Sequence, residues 1–314
     1  MIGSILKILK AKDIIKTSNL SDYEYYFNNR ANINLFLYSN EEKKSLFFIK
    51  ISNLRDLKIT FDNMKIVYDK LPQIVPEPIC FFKLNKYQVL VTKSYDIDLL
   101  TSKSYFNIKK RKMLLQNVVD NIKNLQSKTI EGKLKFDEEF CSKTILPKVD
   151  SFFKRWKEER LLQQEFKLYI RKLTDYYGMI IPSIPQHGDL AMINTGLIEG
   201  KIDKIIFFDW DSYSELKLPI YDLLIFLRSF VSYYNESMYG DSKLNIFFNN
   251  IFTDYCNNFG LDRDFAIDLY PICLLLYGSL RFGVDTGIVA GQKKAIIDMK
   301  QIFANRNNFI LRNT

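Results

Sequence analysis

The most informative stretch of this 314-residue chain is Gln186-His187-Gly188-Asp189-Leu190-Ala191-Met192-Ile193-Asn194. It contains the only histidine, and its aspartate is followed five residues later by an asparagine. A carboxylate can accept the proton of an attacking hydroxyl, and an amide oxygen can hold a metal ion that bridges ATP phosphates. The spacing therefore predicts a phosphoryl-transfer loop. Because a lone histidine is more often structural than catalytic, we expect His187 to orient this loop through hydrogen bonds.

Further carboxylates follow this loop. The segment Phe207-Phe208-Asp209-Trp210 ends a short apolar run with Asp209, which is the position expected for the main magnesium ligand. Asp211 comes two residues later, and we interpret it as a surface acid, with an indirect contact to a second metal ion as the alternative. Asp222 begins an apolar helix, where a carboxylate can bind backbone N–H groups and brace the Asp189 loop.

Lys50 is the basic counterpart of these acids. It lies inside the apolar run at residues 45–52, and burying a lysine is costly unless an anion neutralises it. We expect Lys50 to reach the α- and β-phosphates of ATP; the alternative is an edge-strand lysine that points into solvent. Such a lysine usually needs a carboxylate on the following helix. Asp62 is the best candidate, ahead of Asp56 and Asp69, and the alternative for Asp62 is an exposed helical acid.

The pattern of apolar residues changes near residue 95. Before that point, β-rich runs follow a short helix, and a second helix lies between the third and fourth strands. The predicted strands there cover residues 23–27, 33–38, 45–52, 79–84 and 87–92, and the second helix covers residues 56–70. Asn85-Lys86 predicts a tight turn.

After residue 95, charged and apolar residues recur mainly at helical spacing. We predict a loop at residues 129–136 and a short buried strand at residues 205–208. The predicted helices cover residues 107–126, 146–177, 220–234, 244–259, 264–281 and 293–307. The chain is therefore expected to be an α+β protein with one domain at residues 1–95 and another at residues 96–314.

Composition and charge argue against several classes of protein. The four cysteines lie far apart without a Cys-x-x-Cys pair, which argues against zinc or disulfides and favours a cytoplasmic location. We find neither a signal peptide nor an apolar run long enough for membrane insertion. The net charge is +9, yet residues 187–314 carry 12 basic against 15 acidic side chains. The densest basic run, Lys109-Lys110-Arg111-Lys112, is interpreted as a solvated helix face, and we expect no nucleic-acid partner.

Two segments carry a resemblance to a known family. QHGDLAMIN at residues 186–194 and IIFFDWDSYSELKLPIYDLLIF at residues 205–226 resemble the aminoglycoside phosphotransferase and choline kinase group. This resemblance implies a protein-kinase-like, two-lobe fold. Its N-terminal lobe would be an antiparallel sheet with one helix, and its larger C-terminal lobe would be mainly helical. It also implies ATP and magnesium as cofactors.

The resemblance implies a role for individual residues. Asp189 would be the catalytic base, Asn194 and Asp209 would bind magnesium, and Lys50 would meet the ATP phosphates. The hinge that contacts adenine would span residues 91–95, which include Val91 and Lys93.

One part of the family pattern is missing from this chain. There is no glycine between Gly3 and Gly132, so a glycine-rich phosphate loop is absent. The polar segment at residues 28–32, which contains Arg30, is the candidate to take its place.

The expected reaction is in-line transfer of the ATP γ-phosphoryl group to a hydroxyl of a small molecule, such as an amino alcohol, a sugar or an aminoglycoside. Only about ten residues separate Asp209 from Pro219, too few for the longer activation segment of a protein kinase. A cationic amine could bind the acids of the C-terminal part, while neutral sugars fit equally well. These acids are Asp241, Asp264, Asp268 and Asp285.

Two other functional classes stay open. A catalytically weak or inactive kinase-like module would bind nucleotide and act through partners. A nucleic-acid binder would show steep salt dependence of binding, and little in the sequence favours it. The sequence leaves the acceptor and the oligomeric state undetermined.

Overall fold

The computed structural model describes residues 1–15, 23–29, 33–40, 43–103, 106–157, 159–234, 244–282, 296–297 and 299–301. The chain groups into two compact units. Unit 1 comprises Met1–Asp98 and Gly196–Asp211, and unit 2 comprises Leu99–Thr195 and Ser212–Thr314. This grouping is not a division into folding domains, so the predicted domain boundary between residues 95 and 96 stays a prediction.

The strands and helices are numbered in chain order. The strands are β1 Tyr23–Asn29, β2 Ile33–Ser39, β3 Lys44–Ser52, β4 Pro78–Leu84, β5 Tyr87–Lys93, β6 Ile97–Leu99, β7 Gly132–Lys135, β8 Ile180–Ser183, β9 Thr195–Ile198 and β10 Ile205–Phe207. The α-helices are α1 Ile2–Ala11, α2 Leu57–Lys70, α3 Ile108–Thr129, α4 Glu138–Phe140, α5 Leu146–Arg155, α6 Arg160–Lys172, α7 Tyr221–Tyr233, α8 Asn245–Phe259, α9 Arg263–Asp268 and α10 Tyr270–Phe282.

Unit 1 is built on a five-stranded antiparallel sheet with the strand order β1-β2-β3-β5-β4. All five strands were predicted, with ends that differ by at most two residues. The turn between β4 and β5 lies at Asn85-Lys86 as predicted, and Asn85 has a φ of +53°, a conformation that asparagine tolerates. The sheet and α1 share a hydrophobic core. Its buried residues are Ile5, Leu6, Leu9, Ile15, Leu35, Leu37, Ile49, Ile51, Val89 and Val91.

Helix α2 and a small sheet complete unit 1. The Asp56 carboxylate accepts a hydrogen bond from the Lys58 N–H and caps α2, which packs against β4 and β5. The small sheet has the order β10-β9-β6, and the Phe207 N–H at its end donates to the Ile74 carbonyl at 2.7 Å. This bond fixes the end of β10, from which the next residues carry Asp209.

Unit 2 is mainly helical and forms around α7. Residues 221–227 of this helix are all buried, as expected for a helix that is apolar on every side. Helix α10 packs against α5 and α7, while α3 packs against α7 and α8. Strands β7 and β8 form a two-stranded antiparallel sheet. No helix among the described residues is both long enough and apolar enough to span a membrane.

Several predicted elements need correction. The predicted loop at residues 129–136 contains β7, because its backbone pairs with β8, a partner about 50 residues away that was itself not predicted. The helix predicted at residues 264–281 is two helices, α9 and α10, since Pro271 lacks the N–H that would continue the hydrogen-bond ladder. Strands β6 and β9 were also missed. Of the helix predicted at residues 293–307, only 296–297 and 299–301 are described, and these are helical.

Candidate functional site

Lys50 of β3 forms an ion pair within unit 1. Its Nζ donates to Asp209 Oδ1 at 2.9 Å and lies 3.6 Å from Asp211 Oδ1, and its side chain is only 12% exposed. The carboxylates of Asp209 and Asp211 therefore offset the cost of burying this lysine. Asp209 lies 159 positions after Lys50 in the chain.

The backbone around Asp209 is held in an uncommon conformation. Asp209 has a φ of +61°, in the left-handed region that non-glycine residues rarely adopt. The neighbouring Trp210 stabilises this turn, because its Nε1 donates to the Phe207 carbonyl at 2.9 Å and its own carbonyl accepts from Asn63 Nδ2 at 2.9 Å. Asn63 lies on α2, so the helix fixes the segment that carries Asp209.

Asp211 is part of this cluster, in contrast to the predicted surface acid. Its Oδ1 accepts a 2.6 Å hydrogen bond from Thr60 Oγ1, and its Oδ2 accepts a 2.9 Å bond from Arg55 Nη1. Arg55 Nη1 also lies 3.8 Å from Asp209 Oδ1. Sequence reasoning missed Arg55 and Thr60. The one available signal was a basic residue in the short connection between β3 and α2.

Asp62 does not contact Lys50, which corrects the predicted pairing. It forms an exposed ion pair with Lys58 one turn earlier on α2, at 2.5 Å. The position of Asp62 on the solvent side of α2 explains the difference, since its side chain is 49% exposed whereas that of Lys50 is nearly buried. In this structure the partner of Lys50 is Asp209, with Asp211 beside it.

The predicted adenine-contact residues lie at the end of β5. Val91 is fully buried in the sheet core and pairs with Ile49 of β3 and Cys80 of β4, so its side chain offers no surface to a ligand. The Lys93 side chain is 53% exposed, and its Nζ lies 3.5 Å from Glu77 Oε2. Arg30, the candidate for the missing glycine-rich loop, lies outside the described residues.

The loop at residues 186–194 belongs to unit 2 and brings Asp189 and Asn194 together. Asn194 Nδ2 donates to the Asp189 carbonyl at 2.8 Å and to its Oδ2 at 2.9 Å. Both bonds use the amide nitrogen, so the amide oxygen, the atom that could hold a metal ion, lies on the other side of the group. His187 is fully buried, and its Nδ1 accepts from the Asp189 N–H at 3.3 Å, a hydrogen bond of the kind that its predicted orienting role requires.

Asp222 braces this loop from the first turn of α7, as predicted. Its Oδ2 accepts from the His187 N–H at 2.6 Å, and its Oδ1 accepts from the Gly188 N–H at 3.1 Å. Burial raises the pKa of Asp222 to about 7, although the two backbone N–H bonds act to lower it. The nearby Asp189 charge also raises this pKa.

A buried polar network that sequence reasoning missed supports the brace. Gln186 Oε1 accepts from Gln126 Nε2 at 2.9 Å and from the Asp222 N–H at 3.0 Å. Gln126 Oε1 accepts in turn from the Tyr255 hydroxyl, and that hydroxyl accepts from the Ile220 N–H at 3.0 Å. Helices α3, α7 and α8 thus share one hydrogen-bonded network with the loop. Such satisfied buried networks hold a single conformation.

The donor atoms of Asp209 and Asn194 are of the type that magnesium prefers. Magnesium takes oxygen ligands and is commonly held by one or two carboxylates together with substrate phosphates. The described residues contain no group of three or more His, Cys, Asp or Glu side chains that could form a metal site of their own. Asp209 in unit 1 and Asn194 in unit 2 each offer an oxygen atom of a type that suits an ion arriving with a phosphate ligand.

Unit 2 also contains a cleft of about 610 Å³ beside α5 and α6. Four of its lining side chains are basic and one is acidic. This excess of positive charge disfavours a cationic ligand. The lining residues are Asp150, Phe153, Lys154, Lys157, Arg160, Gln163, Gln164 and Lys167.

Comparisons with known proteins give a match only at the level of structure. No protein-family model matches the chain, and no match was found among curated protein sequences. Choline kinase from Cryptosporidium parvum is similar with a TM-score of 0.63 at 13% identity, over 98% of this chain and 96% of its own.

Two further solved structures match over most of the chain. Ethanolamine kinase from Plasmodium vivax has a TM-score of 0.54 at 14% identity, over 94% of this chain and 85% of its own. An aminoglycoside phosphotransferase solved with ADP and hygromycin B has a TM-score of 0.58 at 10% identity, over 95% of this chain and 97% of its own.

These similarities establish the fold of the chain. It is a protein-kinase-like α+β fold, shared with these three solved structures, with an antiparallel N-terminal sheet and a mainly helical remainder. The predicted fold class is therefore confirmed, and the neighbours are the proteins that the motifs at residues 186–194 and 205–226 resemble.

Proposed function

We propose that this protein is an ATP- and magnesium-dependent phosphotransferase that moves the γ-phosphoryl group of ATP to a hydroxyl of a small molecule. The observation that carries the proposal is the contact between Asn194 and Asp189, which places an amide group 2.9 Å from a carboxylate in one braced loop. A base and a metal-binding amide are the two groups that phosphoryl transfer requires of such a loop.

In the proposed mechanism, Asp189 orients the acceptor hydroxyl and takes its proton as the oxygen attacks the γ-phosphorus. The bond from this phosphorus to the oxygen that bridges the β- and γ-phosphates breaks at the same time, and ADP leaves. Lys50 offsets negative charge on the ATP phosphates. Asn194 and Asp209 are the proposed magnesium ligands, and bound magnesium would neutralise charge that develops on the phosphate oxygens. Most of the rate enhancement would come from positioning and electrostatics, since the protein forms no covalent bond to the substrate.

The acceptor is proposed to be an amino alcohol, a sugar or an aminoglycoside-like molecule. The structural neighbours named above include kinases of choline and ethanolamine. Two of the acids considered for a cationic acceptor, Asp241 and Asp285, lie outside the described residues. The Asp268 carboxylate accepts hydrogen bonds from the hydroxyls of Tyr176 at 2.9 Å and Tyr169 at 3.3 Å, which argues for a structural role. The backbone carbonyl of Asp268 also accepts from the Tyr169 hydroxyl, at 2.5 Å.

The absence of glycine between Gly3 and Gly132 favours one alternative, a weak or inactive kinase-like module that binds nucleotide and acts through partners. The two functions differ in their dependence on Asp189. Replacing it abolishes turnover if the protein is an enzyme, and leaves the function intact if the protein only binds.

The test is magnesium-dependent ATP consumption against choline, ethanolamine, aminoglycosides, hexoses, amino sugars and sugar alcohols. Asp189→Ala should lower turnover with the accepted substrate by at least about 100-fold, the usual contribution of a general base. Asp203→Ala, which removes an exposed acid, is the matched control and should keep wild-type turnover. Equal turnover in Asp189→Ala and wild type would overturn the assignment of Asp189. Nucleotide binding without turnover on any acceptor would favour the binding module.

A further inference from the structure

Two basic side chains converge on the same carboxylate oxygen in unit 1. Lys50 Nζ lies 2.9 Å and Arg55 Nη1 lies 3.8 Å from Asp209 Oδ1. We propose that Arg55 is a second phosphate-binding residue, which contacts the phosphates of a nucleoside di- or triphosphate beside Lys50. This inference rests on the nucleotide-binding part of the proposed function.

The backbone of Arg55 is fixed in place. The hydroxyl of Ser52, at the end of β3, accepts hydrogen bonds from the N–H groups of Leu54 at 3.1 Å and Arg55 at 3.0 Å. These two hydrogen bonds fix the backbone of the short connection between β3 and α2 even when no ligand is bound. Because Ser52 is itself buried, Arg55 starts from a position set by the sheet that carries Lys50.

The side chain of Arg55 is directed rather than free in solution. Arg55 Nη1 donates to Asp211 Oδ2 at 2.9 Å, and Asp211 is held in turn by Thr60 on α2. The Arg55 side chain is nevertheless 44% exposed, against 12% for Lys50. A guanidinium that is oriented and still reaches solvent can accept a ligand without unfolding its surroundings.

The charges of the cluster explain why phosphate is the ligand class. Lys50 and Arg55 balance Asp209 and Asp211, so the cluster of these four side chains has no net charge. A divalent cation held by the carboxylate of Asp209 would leave both basic groups with less counter-charge. Phosphate oxygens are then the natural replacement, because guanidinium binds phosphate through paired, charge-assisted hydrogen bonds.

Arg55 would also compensate for a feature that the chain lacks. A glycine-rich loop holds phosphates with backbone N–H groups, and no glycine occurs between Gly3 and Gly132. An arginine supplies charged donors from a side chain, so it can serve this purpose without a close approach of backbone to phosphate. The connection between β3 and α2 places Arg55 beside Lys50 for this role.

The experiment measures the affinity of the purified protein for ATP, ADP and AMP by calorimetry, without magnesium and with it. Arg55→Gln should weaken ATP and ADP binding by about tenfold, the effect of one lost charge-assisted contact, and AMP binding by less. Arg55→Lys, which keeps the charge but loses the paired donors, should fall between Arg55→Gln and wild type. Lys58→Gln is the matched control, since Lys58 is another exposed cation near the start of α2, 53% exposed against 44% for Arg55, and it pairs with Asp62.

The outcomes separate this inference from the proposed function. If Arg55→Gln binds ATP as tightly as wild type, or if Lys58→Gln loses as much affinity, the role of Arg55 is overturned while the phosphotransferase stands. If the wild-type protein binds no ATP with or without magnesium, the proposed function itself fails. Because Arg55→Gln and Lys58→Gln replace exposed side chains, we expect circular dichroism to report an unchanged fold for each of them.

Discussion

At the residue scale, the buried carboxylate of Asp222 helps to define the shape of the loop that carries Asp189. The Asp222 side chain is buried and accepts hydrogen bonds from two backbone N–H groups of this loop, those of His187 and Gly188. Unsatisfied N–H groups at this depth would each cost about 1–3 kcal/mol, so Asp222 contributes strongly to holding the loop in this geometry. The brace also has a pH dependence.

We predict that Asp222 lowers the stability of the folded protein as pH rises from about 4 to about 7. Burial raises its folded-state pKa from 3.8 to about 7, so within this window the folded protein retains a proton that the unfolded chain has released. Stability from this group is therefore highest below pH 4, falls across the window and is constant above pH 7. The total change is about 4 kcal/mol, at about 1.4 kcal/mol per pH unit.

Urea unfolding of wild type and Asp222→Asn at several pH values checks this prediction. The amide does not titrate, and taking the difference between the two proteins cancels the titration of all other groups. The free energy of unfolding of wild type relative to the variant should decrease from pH 4 to pH 7. A difference that is independent of pH would refute the assigned pKa.

A second prediction concerns Gly188, whose φ is +87°. A Cβ at this position would lie 2.7 Å from the backbone oxygen of Ser212, closer than real Cβ atoms approach. We expect Gly188→Ala to destabilise the protein by about 1–3 kcal/mol through backbone strain, with a further loss from this clash. Gly178→Ala is the matched control, because Gly178 has a φ of +97° but a Cβ added there would meet no atom within 4 Å. Equal free energies of unfolding for the two variants would rule out the clash.

At the element scale, local signals determine where helices begin. Asn107, Asp137 and Asp262 each accept a hydrogen bond from a backbone N–H in the first turn of α3, α4 and α9. Side-chain caps of this kind satisfy N–H groups that have no partner within the helix. Two of these helices were predicted at nearly the right start, since residues 107 and 264 lie within one position of the observed first residue.

The cap of α3 gives an element-scale prediction. Asn107 accepts from the Lys110 N–H at 3.0 Å, so Asn107→Ala should lower the free energy of unfolding by about 1 kcal/mol. Asn124→Ala makes the same substitution at an exposed interior position of the same helix, where alanine has the higher helix propensity. Chemical denaturation should therefore show opposite signs for the two variants, and a loss of equal size in both would exclude the capping role.

At the scale of the whole molecule, charge is unevenly distributed along the chain. Residues 1–186 carry 33 basic and 21 acidic side chains, a net charge of +12, whereas residues 187–314 carry a net charge of −3, which gives the total of +9. Within unit 1, the nearly buried Lys50 pairs with Asp209, and the partly buried Asp211 pairs with the more exposed Arg55. In unit 2, the basic lining of the cleft beside α5 and α6 disfavours a cationic ligand there.

The sequence by itself determined the class of fold, most of its elements and the candidate chemistry. Hydrophobic periodicity and turn residues act over a few positions, so the five strands of the main sheet could be predicted from local pattern. The spacing of Asp189 and Asn194 could be recognised for the same reason, because one short loop holds both. The predicted bracing of that loop by Asp222 followed from its place at the start of an apolar helix.

Only the tertiary structure decided which charges meet. Lys50 pairs with Asp209, 159 positions later, and not with Asp62 on the adjacent helix, and Arg55 joins the cluster through Asp211. Strands β7 and β8 likewise exist because they pair with each other. Such contacts depend on where the whole chain brings distant residues together, and an ion pair or a strand pair leaves no periodic pattern in the sequence around either partner.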